Sequence, residues 1–205
     1  MFEASIEGKL KALWLMGEDV VQTDPDSEHV KHAMESLDFL VVQEIFMTET
    51  AKFANVILPA ASFLEKSGTF TNAERRVQRV QAAVKPLEGT KPDGQILCEI
   101  IQRFGHPQAD YTADGVLAEI ARIVPFFRGA TWENLGDNGK QWPIAEGGKD
   151  TQILHTETFK RGLGKFHFFP WEESKELKAN GSEFPLILTT GRVLEHYNCG
   201  TMTRR

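Results

Sequence analysis

Several places along the chain set hydrogen-bonding side chains where an apolar run ends or a helix pattern begins. Residues 12–16 lead into Gly17-Glu18-Asp19, with Thr23 following. The run FLVVQE, residues 39–44, ends in Gln43 and Glu44. An apolar stretch closing at Pro59 leads into FLEKSGTFTNAERRVQRV, which gathers Glu65, Lys66, Glu74, Arg75, Arg76 and Arg79 around one glycine, and Asp93 opens DGQILCEIIQRFG. The chemistry open to these residue types is recognition. A carboxylate carries two acceptor oxygens suited to the paired N–H groups on one edge of guanine, which no neutral side chain matches as well; at the head of a helix pattern it also serves as a plain N-cap. Asp19 can accept from a ribose or a base, or can simply polarise a turn, and Thr23 can cap the next helix or donate to a phosphate. Gln43 and Glu44 fall where dinucleotide folds place a ribose-binding acid, which is also where solvated strand ends are polar. Lys66 and the Arg75-Arg76 pair are either surface charge or the local cations a phosphate needs.

No complete reaction centre accompanies these groups. There is no nucleophile elbow, no glycine-lysine phosphate loop and no zinc signature. His29 and His32 lie three apart on a helix face without a carboxylate or cysteine set, and His106, His155 and His167 are isolated. His196 differs, since it sits in a glycine-bracketed loop with Arg192, Glu195, Tyr197 and Asn198. The two cysteines, Cys98 and Cys199, are far apart, which excludes a disulfide framework or a C-x-x-C metal motif within the chain.

The bulk composition fits a folded core. The chain has 205 residues, 41% hydrophobic and 25% charged, enough for one domain or one domain plus a fragment. A formal net charge of -6 and a pI near 5.6 argue against nucleic-acid binding through a bulk field. No apolar run approaches the roughly 20 residues that span a bilayer, so direct membrane insertion is not expected. Both ends look cut: an apolar strand pattern follows Met1 within about ten residues, and the sequence stops at TMTRR just after a new strand pattern.

Positioning the polar groups requires a particular order of elements. ALWLMGED, residues 12–19, predicts a buried strand feeding a loop, and DPDSEHVKHAMESL a helix with Val30, Ala33, Met34 and Leu37 on one face. FLVVQE predicts a second strand, TETAKFA a short helix with a threonine cap, and NVILPA, residues 55–60, a third buried strand. This strand-helix alternation predicts an α/β fold with a dinucleotide-binding-like, mostly parallel sheet and flanking helices, whose ligands gather outside the carboxyl ends of the strands. GTFTNAERRVQRVQAAV suits a hairpin or paired extended arms. Residues 93–105 and TADGVLAEIARIV predict two amphipathic helices, with Asp93 capping the first. From Arg128 to about Ser182 the glycine, tryptophan and proline content predicts surface loop, with short strands near LGKFHFF; FPLILTTGR, residues 184–192, predicts a buried strand that starts a new unit.

LMGED, VVQEIFMTETAKFANVILPAASFLEKSGTFTNAERRVQ and TTGRVLEHYNCGTMTRR, in that order, resemble the catalytic (alpha) subunit of molybdopterin-dependent formate dehydrogenases, within the dimethyl sulfoxide reductase superfamily. The resemblance runs from about Leu13 to Arg205. It implies that residues 1–182 are the third, α/β domain of a larger enzyme and that residues 183–205 hold the first strand and loop of a following β-barrel domain. It implies a bis(molybdopterin guanine dinucleotide) cofactor with molybdenum or tungsten, and an iron-sulfur cluster, a metal-binding selenocysteine or cysteine, and formate-handling groups in parts outside this sequence.

Carried over position by position, the resemblance makes Asp19, Thr23, Gln43, Glu44, Lys66, Asp93, Thr190, Gly191, Arg192 and His196 cofactor contacts. Asp93 is the acid that reads guanine, Gln43 and Glu44 hold ribose or base, and residues 190–199 run along the pterins. No catalytic residue and no metal ligand is assigned to the chain, which alone is expected to be inactive. Partners implied are the remaining domains of the same subunit and electron-transfer subunits; the compartment implied is cytoplasmic, with a periplasmic parent as the other option. A nitrate reductase of the same superfamily and a non-catalytic scaffold like the large subunit of respiratory complex I are the alternatives. Arg75 and Arg76 either face the cofactor or bridge to other domains.

Overall fold

The computed structural model describes residues 1–175, 186–196 and 200. The chain divides into two compact units, Met1–Gln152 and Ile153–Arg205.

The first unit opens with a short helix, α1 (Phe2–Ile6), and then builds a three-stranded parallel sheet from β1 (Ala12–Met16), β2 (Phe39–Glu44) and β3 (Val56–Pro59), in the order β1-β2-β3. The central strand is apolar on both faces, as a parallel strand covered on both sides must be, and Leu40 and Val42 are buried. The crossover from β1 to β2 runs through α2 (Val20–Thr23) and α3 (Ser27–Glu35). Val30, Ala33 and Met34, at helical spacing, pack with Leu15, Leu40 and Val42, and the Asp26 carboxylate caps α3 by accepting from the His29 amide at 3.1 Å. The predicted short helix is a 3₁₀ turn over Thr50–Phe53; its capping position is Glu49, without a side-chain cap, and the Thr48 hydroxyl one residue earlier accepts from the Ala51 amide.

One strand is less buried than its sequence suggests. Val56 and Pro59 are exposed and Ile57 and Leu58 half-buried, because β3 is the edge of the sheet. Beyond β3, an isolated parallel bridge joins Ala60 to Lys91, with the Ala61 amide donating to the Lys91 carbonyl at 2.8 Å. That bridge sets the start of α4 (Asp93–Arg103) against the carboxyl end of the sheet.

Between the bridge partners, β4 (Gly68–Thr71) and β5 (Arg76–Val80) form the antiparallel hairpin, which β6 (Lys140–Gln141) extends. Helix α5 (Ala113–Ile123), capped by the Thr112 hydroxyl, packs on β4. Part of the expected surface loop after Arg128, residues 130–144, instead contributes to a second core: Ala130, Leu135 and Ile144 are buried with Val77 and Leu117, flanked by Phe127, Trp132 and Trp142. It has no sequence period because an irregular backbone delivers its apolar residues singly.

In the second unit, residues 163–169 form no strand, and Leu163, Phe166, Phe168 and Phe169 are exposed. Residues 186–192 likewise carry no strand, and Leu186, Ile187 and Leu188 are exposed, so the expected buried strand is not formed over them; Phe184 and Pro185 lie outside the described residues. A strand needs a neighbour to close its hydrogen bonds, and none pairs with this segment among the described residues.

A charge cluster fixes α4. Lys91 donates to both Glu99 oxygens (2.8 and 2.6 Å), Gln95 donates at 2.9 Å and Arg103 at 3.4 Å. These donors, led by Lys91, hold the Glu99 carboxyl down to about 2. A depressed carboxylate contributes stability above its unfolded value that disappears as pH falls through its folded value. The Glu99→Gln variant is therefore expected to lose part of the stability difference between pH 6 and pH 2.5 seen in the parent, which paired urea titrations at those pH values measure.

Candidate functional site

Three elements meet at the carboxyl edge of the sheet. Gln43, near the end of β2, is held in register between Met16 and Leu58 and has no exposed surface. Lys66 is brought in by the turn after Ala61, which Glu65 organises: its carboxylate accepts from the Ser62 amide at 2.8 Å and from the Leu87 amide at 3.1 Å. Asp93 arrives through the Ala60–Lys91 bridge.

The three side chains form one network. Gln43 Nε2 donates to Asp93 Oδ1 at 2.8 Å, and Lys66 Nζ pairs with Asp93 Oδ2. Asp93 is the first residue of α4 rather than its cap: the capping position is Pro92, and no side chain caps the helix. The carboxylate thus turns inward, beside amides that favour an anion. Burial pushes the Asp93 carboxyl up, but the hydrogen bonds from Lys66 and Gln43 and the Lys66 charge outweigh it and leave it below the ordinary carboxylate value.

A cavity of about 320 Å³ opens beside this network, at the lower end of volumes that hold small ligands. Lys66, Asp93, Gly94, Tyr111, Phe63 and Phe70 are among its walls. Polar groups therefore sit at one end of a mostly apolar slot. Tyr111, which sequence alone did not single out, lies so close to α4 that a Cβ on Gly94 would come within 2.6 Å of its ring. Burial, with the Asp93 charge next, pushes the Tyr111 hydroxyl up, so the ring stays neutral. The signal for it was slight: one aromatic in the polar loop before α5.

The other candidates make different contacts. Asp19 is buried and ties the β1 loop to the 3₁₀ turn: its Oδ1 accepts from the Thr50 amide (3.0 Å) and hydroxyl (2.7 Å). Thr23 donates to Glu18 at 2.7 Å, and Glu44 accepts from the neighbouring Ile45 amide. None of these bonds joins them to the Gln43–Asp93–Lys66 network. Thr190, Gly191 and Arg192 are exposed and His196 half-buried, all within the second unit. Arg75, read as facing a cofactor or another domain, binds carbonyls within its own unit, and Arg76 reaches Glu74 and the Asn138 carbonyl.

The family profile described as molybdopterin oxidoreductase matches residues 1–103, half of the chain. The chain belongs to this family. The alpha subunit of the F420-dependent formate dehydrogenase of Methanocaldococcus jannaschii is 43% identical over 199 residues, covering 96% of this chain and 30% of that protein. The alpha subunit of F420-dependent formate dehydrogenase 2 of Methanococcus maripaludis is 46% identical over 202 residues, with the same coverage. A probable oxidoreductase of Bacillus subtilis is 42% identical, covering 99% of this chain and 21% of that protein. This molybdopterin oxidoreductase chain thus spans about 30% or less of the length of these relatives.

Among solved structures, acetylene hydratase from Pelobacter acetylenicus matches with a TM-score of 0.55 at 21% identity, over 68% of this chain and 20% of that one. That likeness supports the α/β fold. Membership in the family implies a molybdopterin cofactor. Among the described residues no helix is long and apolar enough to cross a membrane.

Proposed function

We propose that this chain is part of the catalytic subunit of a formate dehydrogenase and holds a guanine end of molybdopterin guanine dinucleotide. One observation carries the reading: an ionised carboxylate, already supported by Gln43 and Lys66, lines a cavity sized for a small ligand. Guanine presents N1–H and N2–H on one edge. Each Asp93 oxygen accepts one bond from the protein and retains acceptor capacity for one more, so the residues present fit that edge. Adenine offers a ring-nitrogen acceptor where guanine offers N1–H, which sets two acceptors face to face. Lys66, whose charge is matched by Asp93, makes the site suited to a neutral hydrogen-bonding edge rather than a cation.

When bound, the pterin and its molybdenum or tungsten would supply the two-electron chemistry that takes formate to carbon dioxide. The share of this chain is to bind and orient the dinucleotide. Asp93 and Lys66 would hold the base with Gln43 behind them, Asp19, Thr23 and Glu44 would shape the strand-end rim, and Thr190, Gly191, Arg192 and His196 would line the pterin side. Residues 1–182 would be the third domain of the subunit and 183–205 the start of a fourth. The iron-sulfur cluster, the rest of the subunit and the electron-transfer subunits are further parts of this reading, with a cytoplasmic parent preferred to a periplasmic one.

Calorimetry of the 205-residue chain with guanosine and adenosine monophosphates tests it. The guanosine nucleotide is expected to bind more tightly, and Asp93→Asn to weaken it by about 2 kcal/mol, the worth of one bidentate base contact. Equal binding of the two nucleotides, or an unaffected Asp93→Asn variant, would refute the reading. The chain alone is expected to reduce no dye with formate, and dye reduction would show that the bond-breaking groups lie within it.

A further inference from the structure

Gln43 is the most enclosed polar side chain of the site, and only half of its amide is used. Nε2 donates to Asp93 Oδ1 at 2.8 Å, while Oε1 has no hydrogen-bond partner among the described residues. Buried acceptors are normally satisfied, and turning the amide over would not improve matters here. It would set the carbonyl oxygen against a carboxylate oxygen at the same short distance, two acceptors without a proton between them. The strand therefore keeps an unsatisfied carbonyl in order to keep one N–H on Asp93.

We infer that Gln43 is a positioning residue: buried behind Asp93, its amide holds Oδ1 and so fixes the rotation of the carboxylate that lines the cavity. This rests on the reading of Asp93 as a base contact. Lys66 alone does not fix that rotation, because an ammonium on a flexible stem follows the carboxylate as it turns. Gln43 does not follow, since β2 is the central strand and pairs on both sides.

Two substitutions at this position make opposite demands. Gln43→Met preserves volume and removes both the useful N–H and the unsatisfied carbonyl, so the folding midpoint should hold while orientation is lost. Gln43→Glu sets a second carboxyl against Asp93. The charged group facing that pair is Lys66 from the turn before β4, and the neutral Tyr111 hydroxyl from the loop before α5 is the other titratable group near Asp93. At pH 7.5 two carboxylates share one ammonium and repel. Near pH 5 the introduced carboxyl takes up a proton and donates to Asp93 as the amide did.

The test uses the 205-residue chain with guanosine monophosphate as the calorimetric probe, together with carbon-13 titration of the Asp93 carboxyl. Gln43→Met is expected to weaken binding about tenfold with an unchanged urea midpoint, and to move the Asp93 titration to higher pH. Gln43→Glu is expected to bind at least fivefold better at pH 5 than at pH 7.5, whereas the parent is flat or declines over that range. A parent-like pH trend in Gln43→Glu, or an Asp93 titration unmoved in Gln43→Met, overturns the positioning role. If Asp93→Asn leaves nucleotide binding intact, the cofactor reading falls, and the carbon-13 titration still decides whether Gln43 holds the carboxylate.

Discussion

Replacing Gly129 by alanine is expected to remove about 3 kcal/mol or more of stability, the upper end of what overpacking a close-fitted interior costs. Gly129 is buried between the 3₁₀ turn Pro125–Phe127 and the segment that returns under it. Its amide donates to the Ile144 carbonyl at 2.9 Å, and its carbonyl accepts from Asn134 Nδ2 at 2.5 Å. An added Cβ would lie 2.5 Å from the Ala145 carbonyl carbon and 3.1 Å from the Gly148 nitrogen, closer still to the Ala145 oxygen. All three are main-chain atoms, so no side-chain rotation relieves the contact. The gain from a stiffer unfolded chain, up to about 1 kcal/mol, is too small to offset it.

The consequence should reach the ligand cavity. Ile144 and Ala130 share a core with Val77 of β5 and Leu117 of α5, and Leu117 also lines the cavity beside Asp93. Urea denaturation of the variant should show the midpoint falling, and guanosine nucleotide binding should weaken with it. A variant within 1 kcal/mol of the parent would mean that the return segment does not pack as described.

How much of this was legible beforehand depended on whether a residue acts through a period or through a single contact. The parallel sheet was legible because Leu40, Val42 and the helix stripe Val30, Ala33 and Met34 repeat at the spacings of a covered strand and an amphipathic helix. The hairpin was half legible: the intervening polar residues suited it and paired extended arms alike, and the β4–β5 pairing decides for it. The core around Leu135 and Ile144 was not, since Ala130, Trp132 and Trp142 reach it one at a time from a backbone without a repeat.

The site divides in the same way. Lys66 and Asp93 stood out as charged residues at loop ends, but that they pair with each other depends on the Ala60–Lys91 bridge, which joins residues 31 positions apart and leaves no local pattern. The Asp19–Thr50 bonds were hidden for a related reason. A polar strand end reads alike whether it faces a ligand or, as with Thr50, ties two loops together. Gln43 read either as a ribose or base contact or as a solvated strand end, yet it is fully buried and spends its amide N–H on Asp93.

The hairpin depends on Arg75, and replacing it by alanine is expected to cost about 2–4 kcal/mol, the range for removing a charged donor shared by several carbonyls. Its guanidinium donates to the Trp142 carbonyl, to the Gln152 carbonyl at 2.9 Å and to the Thr151 carbonyl at 3.3 Å, and it lies 5.7 Å from the centre of the Trp142 ring. Its own carbonyl accepts from the Trp142 amide at 3.0 Å. The residue is held at φ 66°, a left-handed conformation that costs a non-glycine residue about 1–2 kcal/mol.

That strain separates two variants. Arg75→Gly loses the same guanidinium contacts but relieves the backbone, so it should be more stable than Arg75→Ala by about 1 kcal/mol after allowing for the looser unfolded chain. Were Arg75 a surface charge aimed at another domain, both variants would stay within about 0.5 kcal/mol of the parent. Thermal and urea unfolding of the pair decide between these outcomes. If Arg75→Ala equals or exceeds Arg75→Gly in stability, the turn does not impose the left-handed geometry; if both stay within about 0.5 kcal/mol of the parent, the clamp on residues 142–152 is not what holds the hairpin in place.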